Sequence, residues 1–131
     1  MGIATQKHEP GKLFSNVPDD ICNLFEKNKP KPKSVAKMLN FKREDISIAS
    51  GHPLSTVRYN RLPADVLDRM TEWATAINLV ANHFKDVEKT MLWFKIKNPM
   101  LGNMAPRDMI RMGRFKKLLL FINDSLEDNK H

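Results

Sequence analysis

Cysteine occurs once in these 131 residues, as Cys22. An internal disulfide and a multi-cysteine zinc site are therefore excluded. No helix-borne His or acid is spaced to activate the thiol, so Cys22 reads as a buried or incidental group. Glycine is scarce, five in all, and none belongs to a Gly-Lys-Ser/Thr phosphate loop. The four histidines, His8, His52, His83 and His131, are scattered. None has an i,i+4 His or a cysteine at ligand spacing, so no metal site is expected. Glu72, Asp86 and Glu88 read as helix-surface acids, and neither a catalytic residue nor a cofactor is expected. The longest apolar run is Leu118 to Ile122, far short of the roughly 20 residues that span a bilayer. No apolar stretch follows Lys7 and Lys12, so no secretory leader is read. The expected location is cytoplasmic, with no membrane partner.

Acid is scarce in one place. Between Lys27 and Arg61 stand nine bases and two acids, Glu44 and Asp45, so that segment carries +7 and the remainder sums to zero. Such a concentration favours a polyanion partner over a uniformly solvated surface.

Strand-like alternation of useful length is missing, and the apolar pattern that is present is helical. Residues 1–32 read as a partly disordered segment, because Pro10-Gly11, Pro18 and the alternating Lys29-Pro-Lys-Pro32 favour extended, solvated chain. Within it, Pro18 to Phe25 offers one short helix. Val35, Met38 and Leu39 mark a helix, and Glu44 to Ser50 a second, stopped by Gly51. Pro53 opens a third over about Pro53–Asn60, with Leu54 and Val57 inward. From Pro63 the longest helix runs to Phe84, with Val66, Met70, Trp73, Ile77, Val80 and Phe84 on one stripe. Asp86 caps the next helix, which carries Val87, Met91 and Phe94. A last helix bears Phe115, Leu118, Leu119, Ile122 and Leu126. The fold expected is all-α, with a helix-turn-helix region over 33–62 and a C-terminal helical domain over 63–131, the long helix 63–84 being shared.

The two helices around Gly51 have helix-turn-helix spacing. Ser47, four before the glycine, lets the helices touch, and Val57, six after it, pins the second on the first. That second helix would lie in the major groove of DNA. Its outward residues are Ser55, Thr56, Arg58, Tyr59 and Arg61, with Arg58 suited to guanine. Lys42, Arg43 and the lysines of 29–33 would contact phosphates.

The stretch Asn98-Pro-Met-Leu-Gly-Asn-Met-Ala-Pro-Arg-Asp-Met-Ile-Arg-Met-Gly113 holds every glycine and proline of the last forty residues. Pro99 prevents helix continuation, Asn98 can end a helix, and Gly102 permits positive φ. Pro106 suits the first position of a helix, Asp108 its dipole, and Gly113 its end. Met100, Met104, Met109 and Met112 read as core filling or as a pliable partner surface.

The segment Lys89 to Ile122 resembles the C-terminal domain of the Xre/MbcA/ParS-like antitoxins. The matching positions are Trp93, Asn98, Pro99, Leu101, Gly102, Pro106, Asp108, Ile110 and Gly113. With the helix-turn-helix and long helix upstream, the resemblance covers about Ser34 to Leu126. Two positions depart from it: Ala105 stands where Ser or Thr is common, and the residues after Gly113 are unusually basic. The resemblance implies an antitoxin that covers the active site of a NAD-consuming RES-domain toxin with its C-terminal domain. It also implies repression of its own operon, by a homodimer binding operator DNA. A stand-alone helix-turn-helix regulator with a helical dimerisation domain is the alternative.

Overall fold

The computed structural model describes residues 17–128, with side-chain placement to Leu126. The readings made for residues 1–16, and for His131, lie outside them. Within this span the protein is mainly α-helical, and no helix is long and apolar enough to cross a membrane. Two short strands, β1 (Phe25–Glu26) and β2 (Lys29–Pro30), form a hairpin. Six helices follow: α1 (Pro32–Leu39), α2 (Arg43–Ser50), α3 (Ala64–Phe84), α4 (Val87–Lys95), α5 (Pro106–Arg111) and α6 (Phe115–Asp128). Single 3-10 turns stand at Leu54–Thr56 and Pro99–Leu101.

Helix α3 is the axis of the molecule. Val66, Met70, Trp73, Ile77 and Val80 of the expected stripe are buried and Phe84 is half-buried, but the flanks Ala74, Thr75, Ala76, Asn78 and Ala81 are inside as well. The alanines make this possible, because small side chains let neighbouring elements approach from several sides. β2, α1, α4 and α6 all pack against α3. The buried threonines keep their hydroxyls satisfied within the helix, Thr75 Oγ1 donating to the Thr71 carbonyl at 2.7 Å. Lys85, in the left-handed region at φ +58°, ends α3, and the Asp86 carboxylate caps α4 by accepting from the Lys89 amide at 2.9 Å. α4 thereby folds back along α3.

One hydrophobic core runs across the boundary expected at residue 62. It joins Leu24, Val35, Leu39 and Ile46 to Met70, Phe94, Ile110 and Ile122. α2 packs on α5, and α1 on α4. Phe41, in the α1–α2 connection, meets Trp73 edge-on with ring centres 5.8 Å apart. The helices of 33–62 and those of 63–126 therefore close over the same interior.

Three local expectations give way. The segment around Lys29-Pro-Lys-Pro32 is a hairpin, with Lys27 and Asn28 both at positive φ (53° and 65°) as a two-residue type I′ turn demands. Pro18–Phe25 forms turns leading into β1 instead of a helix. Pro63 precedes α3 as its extended cap residue, so the helix starts at Ala64.

Candidate functional site

The helix expected over Pro53–Asn60 is a 3-10 turn of three residues, Leu54–Thr56. A continuing α-helix would need the Leu54 and Val57 carbonyls to accept from Arg58 and Arg61. Arg43 takes both: its Nε donates to the Val57 carbonyl at 2.6 Å and its Nη2 to the Leu54 carbonyl at 2.8 Å. The Leu54 carbonyl also accepts the Val57 amide at 3.0 Å, and the Arg58 amide turns to Thr56 at 3.1 Å. Packing holds the segment instead. Val57 is fully buried, which contributes on the order of 1.5–3 kcal/mol, more than the one or two hydrogen bonds of a short turn.

The residues chosen for DNA contact therefore divide. Arg43 braces the 54–57 segment, so its guanidinium is already occupied. Ser55, Arg58, Arg61 and Lys42 are exposed, while Thr56 and Tyr59 are half-buried. Arg58 folds back to donate through Nε to the Ser55 carbonyl at 3.1 Å. Burial raises the Tyr59 hydroxyl above its ordinary value, against the opposing pull of Arg43, so the phenol stays a donor. Ser47 does meet the turn as its spacing suggested, its Oγ donating to the His52 carbonyl at 2.6 Å. His52 replaces an apolar contact with a polar one: its Nε2 stands 2.8 Å from Asp65 Oδ2, tying the turn to the start of α3. That hydrogen bond is the main reason the Asp65 carboxyl lies below its ordinary range.

The Asn98–Gly113 stretch forms a closed unit. α4 ends before it, at Lys95, with Ile96 as its cap. Asn98 keeps extended φ and caps the following turn, its Oδ1 accepting from the Met100 amide at 2.9 Å. Its own amide donates to the Met104 carbonyl at 3.2 Å, and its carbonyl accepts from Asn103 at 3.0 Å. Gly102 and Asn103 both take positive φ (68° and 64°) to bring the chain back. Leu101 and Met104 turn inward against the core. Ala105 precedes α5 without a side-chain cap, Pro106 opens that helix, and Gly113 leaves it at φ +80°. Asp108 does more than favour the dipole. It accepts from Arg111 Nη2 at 2.9 Å, and Arg111 Nη1 stands 3.8 Å from Asp45 on α2. This stretch is thus bolted to the helices of the first region.

Exposed apolar side chains stand beside the closed unit and on it, among exposed Lys95 and Lys97. Leu92 and Ile96, one helical turn apart, are each 52 % exposed, and Met100 beyond them is 77 % exposed. Trp93 lies half-buried against Phe94, its ring edge-on with centres 5.0 Å apart. On another side Gly113 borders an open groove of about 880 Å³ between α3 and α6. Phe115 and Leu120 line it together with charged residues of both signs, among them Asp65, Asp68, Glu72, Arg114 and Lys117. Among the described residues no group of three or more His, Cys, Asp or Glu side chains is placed to hold a metal ion.

Sequence reasoning missed two things. The first is Asn78, whose buried amide joins α3 to the N-terminal turn; a lone Asn on an otherwise apolar face was the available signal. The second is the hairpin, signalled only by Lys27-Asn28, a weak form of the turn dipeptide. No family model, no curated protein and no solved structure matches this chain.

Proposed function

We propose that this protein is an antitoxin that binds and blocks a RES-domain, NAD-consuming toxin, and that, as a homodimer, it represses its own operon. The observation that carries the toxin-binding half is the Asn98–Gly113 unit. Its turn residues resemble those of the Xre/MbcA/ParS-like antitoxins in order and spacing, Ala105 excepted, and the unit is closed by its own backbone bonds. It also carries exposed Met100 and follows the exposed pair Leu92 and Ile96 of α4. A rigid turn beside unpartnered apolar side chains suits a contact surface, since exposed patches of this kind mark interaction sites. Trp93, Leu101, Pro106 and Asp108 serve by shaping this surface from beneath; Met100 and Ile96 would touch the partner.

The DNA-binding half rests on charge. Segment 27–61 holds nine bases and two acids, while its 53–60 portion offers a turn in place of a groove-filling helix. Phosphate contact is therefore favoured over base readout. The same exposed apolar side chains would equally suit a dimerisation face, which is the observation behind the alternative of a stand-alone regulator.

Co-expression with the RES-type toxin encoded beside it tests the reading. Growth should be restored by the native chain. The double variant Ile96→Asp, Met100→Asp should lose this rescue while keeping its thermal midpoint. Absence of rescue by the native chain, or absence of such a toxin gene, would leave the regulator reading standing.

A further inference from the structure

We infer that the β1–β2 hairpin, together with Tyr59, is a clamp for the phosphodiester backbone of duplex DNA. It rests on the DNA-binding half of the function proposed above and names the surface that performs it.

Lys27, Lys29, Lys31 and Lys33 line one groove of about 590 Å³ with Glu26 and Tyr59. The groove wall is therefore strongly cationic, with Glu26 its only acid. Among the described residues none of these four lysines has an ion-pair partner. Their ammonium groups are left to solvent or to an external anion. Lys33 and Lys37, both exposed, lie one turn apart on α1 and extend the cationic strip. Lys29 and Lys31 stand two residues apart in extended backbone, about 6.6 Å along the chain, so they leave it on the same side.

The clamp is pre-formed. Leu24 is buried, and its carbonyl accepts the Lys31 amide at 2.7 Å, closing the hairpin base. Asp20 receives the Leu24 and Phe25 amides at 2.7 and 3.0 Å and is itself held by Asn78 of α3. A hairpin so anchored loses little freedom on binding.

The chemistry favours phosphate over a peptide. Pro30 and Pro32 lack amide donors, so this edge cannot take up an added strand. Strands of two residues are too short to fill a major groove and read bases. Tyr59 supplies a neutral hydroxyl donor at the groove wall, suited to a phosphate oxygen.

The test is fluorescence anisotropy of the full chain with a labelled 30-base-pair duplex of arbitrary sequence, titrated from 50 to 200 mM salt. The variant Lys29→Gln, Lys33→Gln should lower the magnitude of the log K versus log salt slope by about 2, at roughly 0.9 for each phosphate no longer neutralised. The variant Lys116→Gln, Lys117→Gln, which removes equal charge from α6, should leave that slope unchanged. Equal losses in the two variants, or an unaltered slope in the hairpin variant, would overturn the clamp while leaving DNA binding intact. Failure of the native chain to bind the duplex would overturn both. Tighter binding to poly-glutamate than to the duplex would reassign the groove to an acidic protein.

Discussion

Asn78 Nδ2 donates to Asp20 Oδ1 at 2.9 Å across a sequence separation of 58 residues. The same amide accepts the Cys22 backbone N–H through its Oδ1 at 3.0 Å. One buried side chain on the central helix thus fixes both arms of the turn that carries the basic hairpin. Asn82, a turn further along, adds a bond to the Asp19 carbonyl at 2.9 Å.

Replacing Asn78 by Ala should therefore act at a distance. Asn78 is 1 % exposed; its loss would strand the Cys22 N–H and leave Asp20 Oδ1 with the Leu24 amide alone, at a cost of about 1–3 kcal/mol. Urea unfolding should show that loss. Amide exchange should speed up over Ile21–Lys31 before anywhere else; uniform acceleration across α3 and α6 would contradict the anchoring role.

Gly102 and Gly113 need positive φ and nothing else. A Cβ at either position would meet no atom within 4 Å, so the cost of Ala is conformational, about 1 kcal/mol each. Gly102→Asn should be milder than Gly102→Ala, and Gly102→Val harsher, in thermal unfolding. An equal effect of all three would indicate a steric cause.

Ala105 is the uncapped start of α5, at φ −73° and ψ 144°. Ser there can accept the Asp108 amide, which now donates to the Ala105 carbonyl at 2.9 Å. Ala105→Ser should raise stability by roughly 1 kcal/mol, the usual worth of an N-cap. A loss would show that the buried site has no room for the hydroxyl.

Burial, aided by the Asp20 carboxylate, pushes the Cys22 thiol from 9.0 up to about 11. At pH 8 its thiolate fraction, and so its rate of alkylation, should be about 100-fold below that of a free thiol. The raised value favours the neutral thiol in the folded state. Its stabilising effect is full below pH 9 and is lost as pH rises through 11. Cys22→Ser should flatten the alkaline limb of the stability curve; an unchanged limb would show that Cys22 does not titrate there.

Much of the helical architecture is legible in the residues themselves. The alternating steps of four and three from Val66 through Met70 and Trp73 to Ile77 name the central helix, and Asp86 names the start of the next. The stretch from Asn98 to Gly113 is readable because turns depend on local chemistry, with Pro fixing φ and Gly or Asn accepting the left-handed region. Even there the role of Asn98 shifts, from ending α4 to capping the turn after it.

The segment after Gly51 was decided elsewhere. Pro53 to Asn60 has a passable helical pattern, yet Arg43, ten residues before Pro53, occupies the carbonyls that an α-helix would use. The hairpin likewise depends on Asp20 meeting Asn78, and the exposure of Leu92 on which side of α4 the core leaves uncovered. Local sequence determined where helices begin and end, because propensity, capping and φ preference act within a few residues. Tertiary structure alone decided which side chains bridge remote segments and which remain outside. Those outcomes depend on hydrogen bonds and packing between residues that only the folded chain brings together.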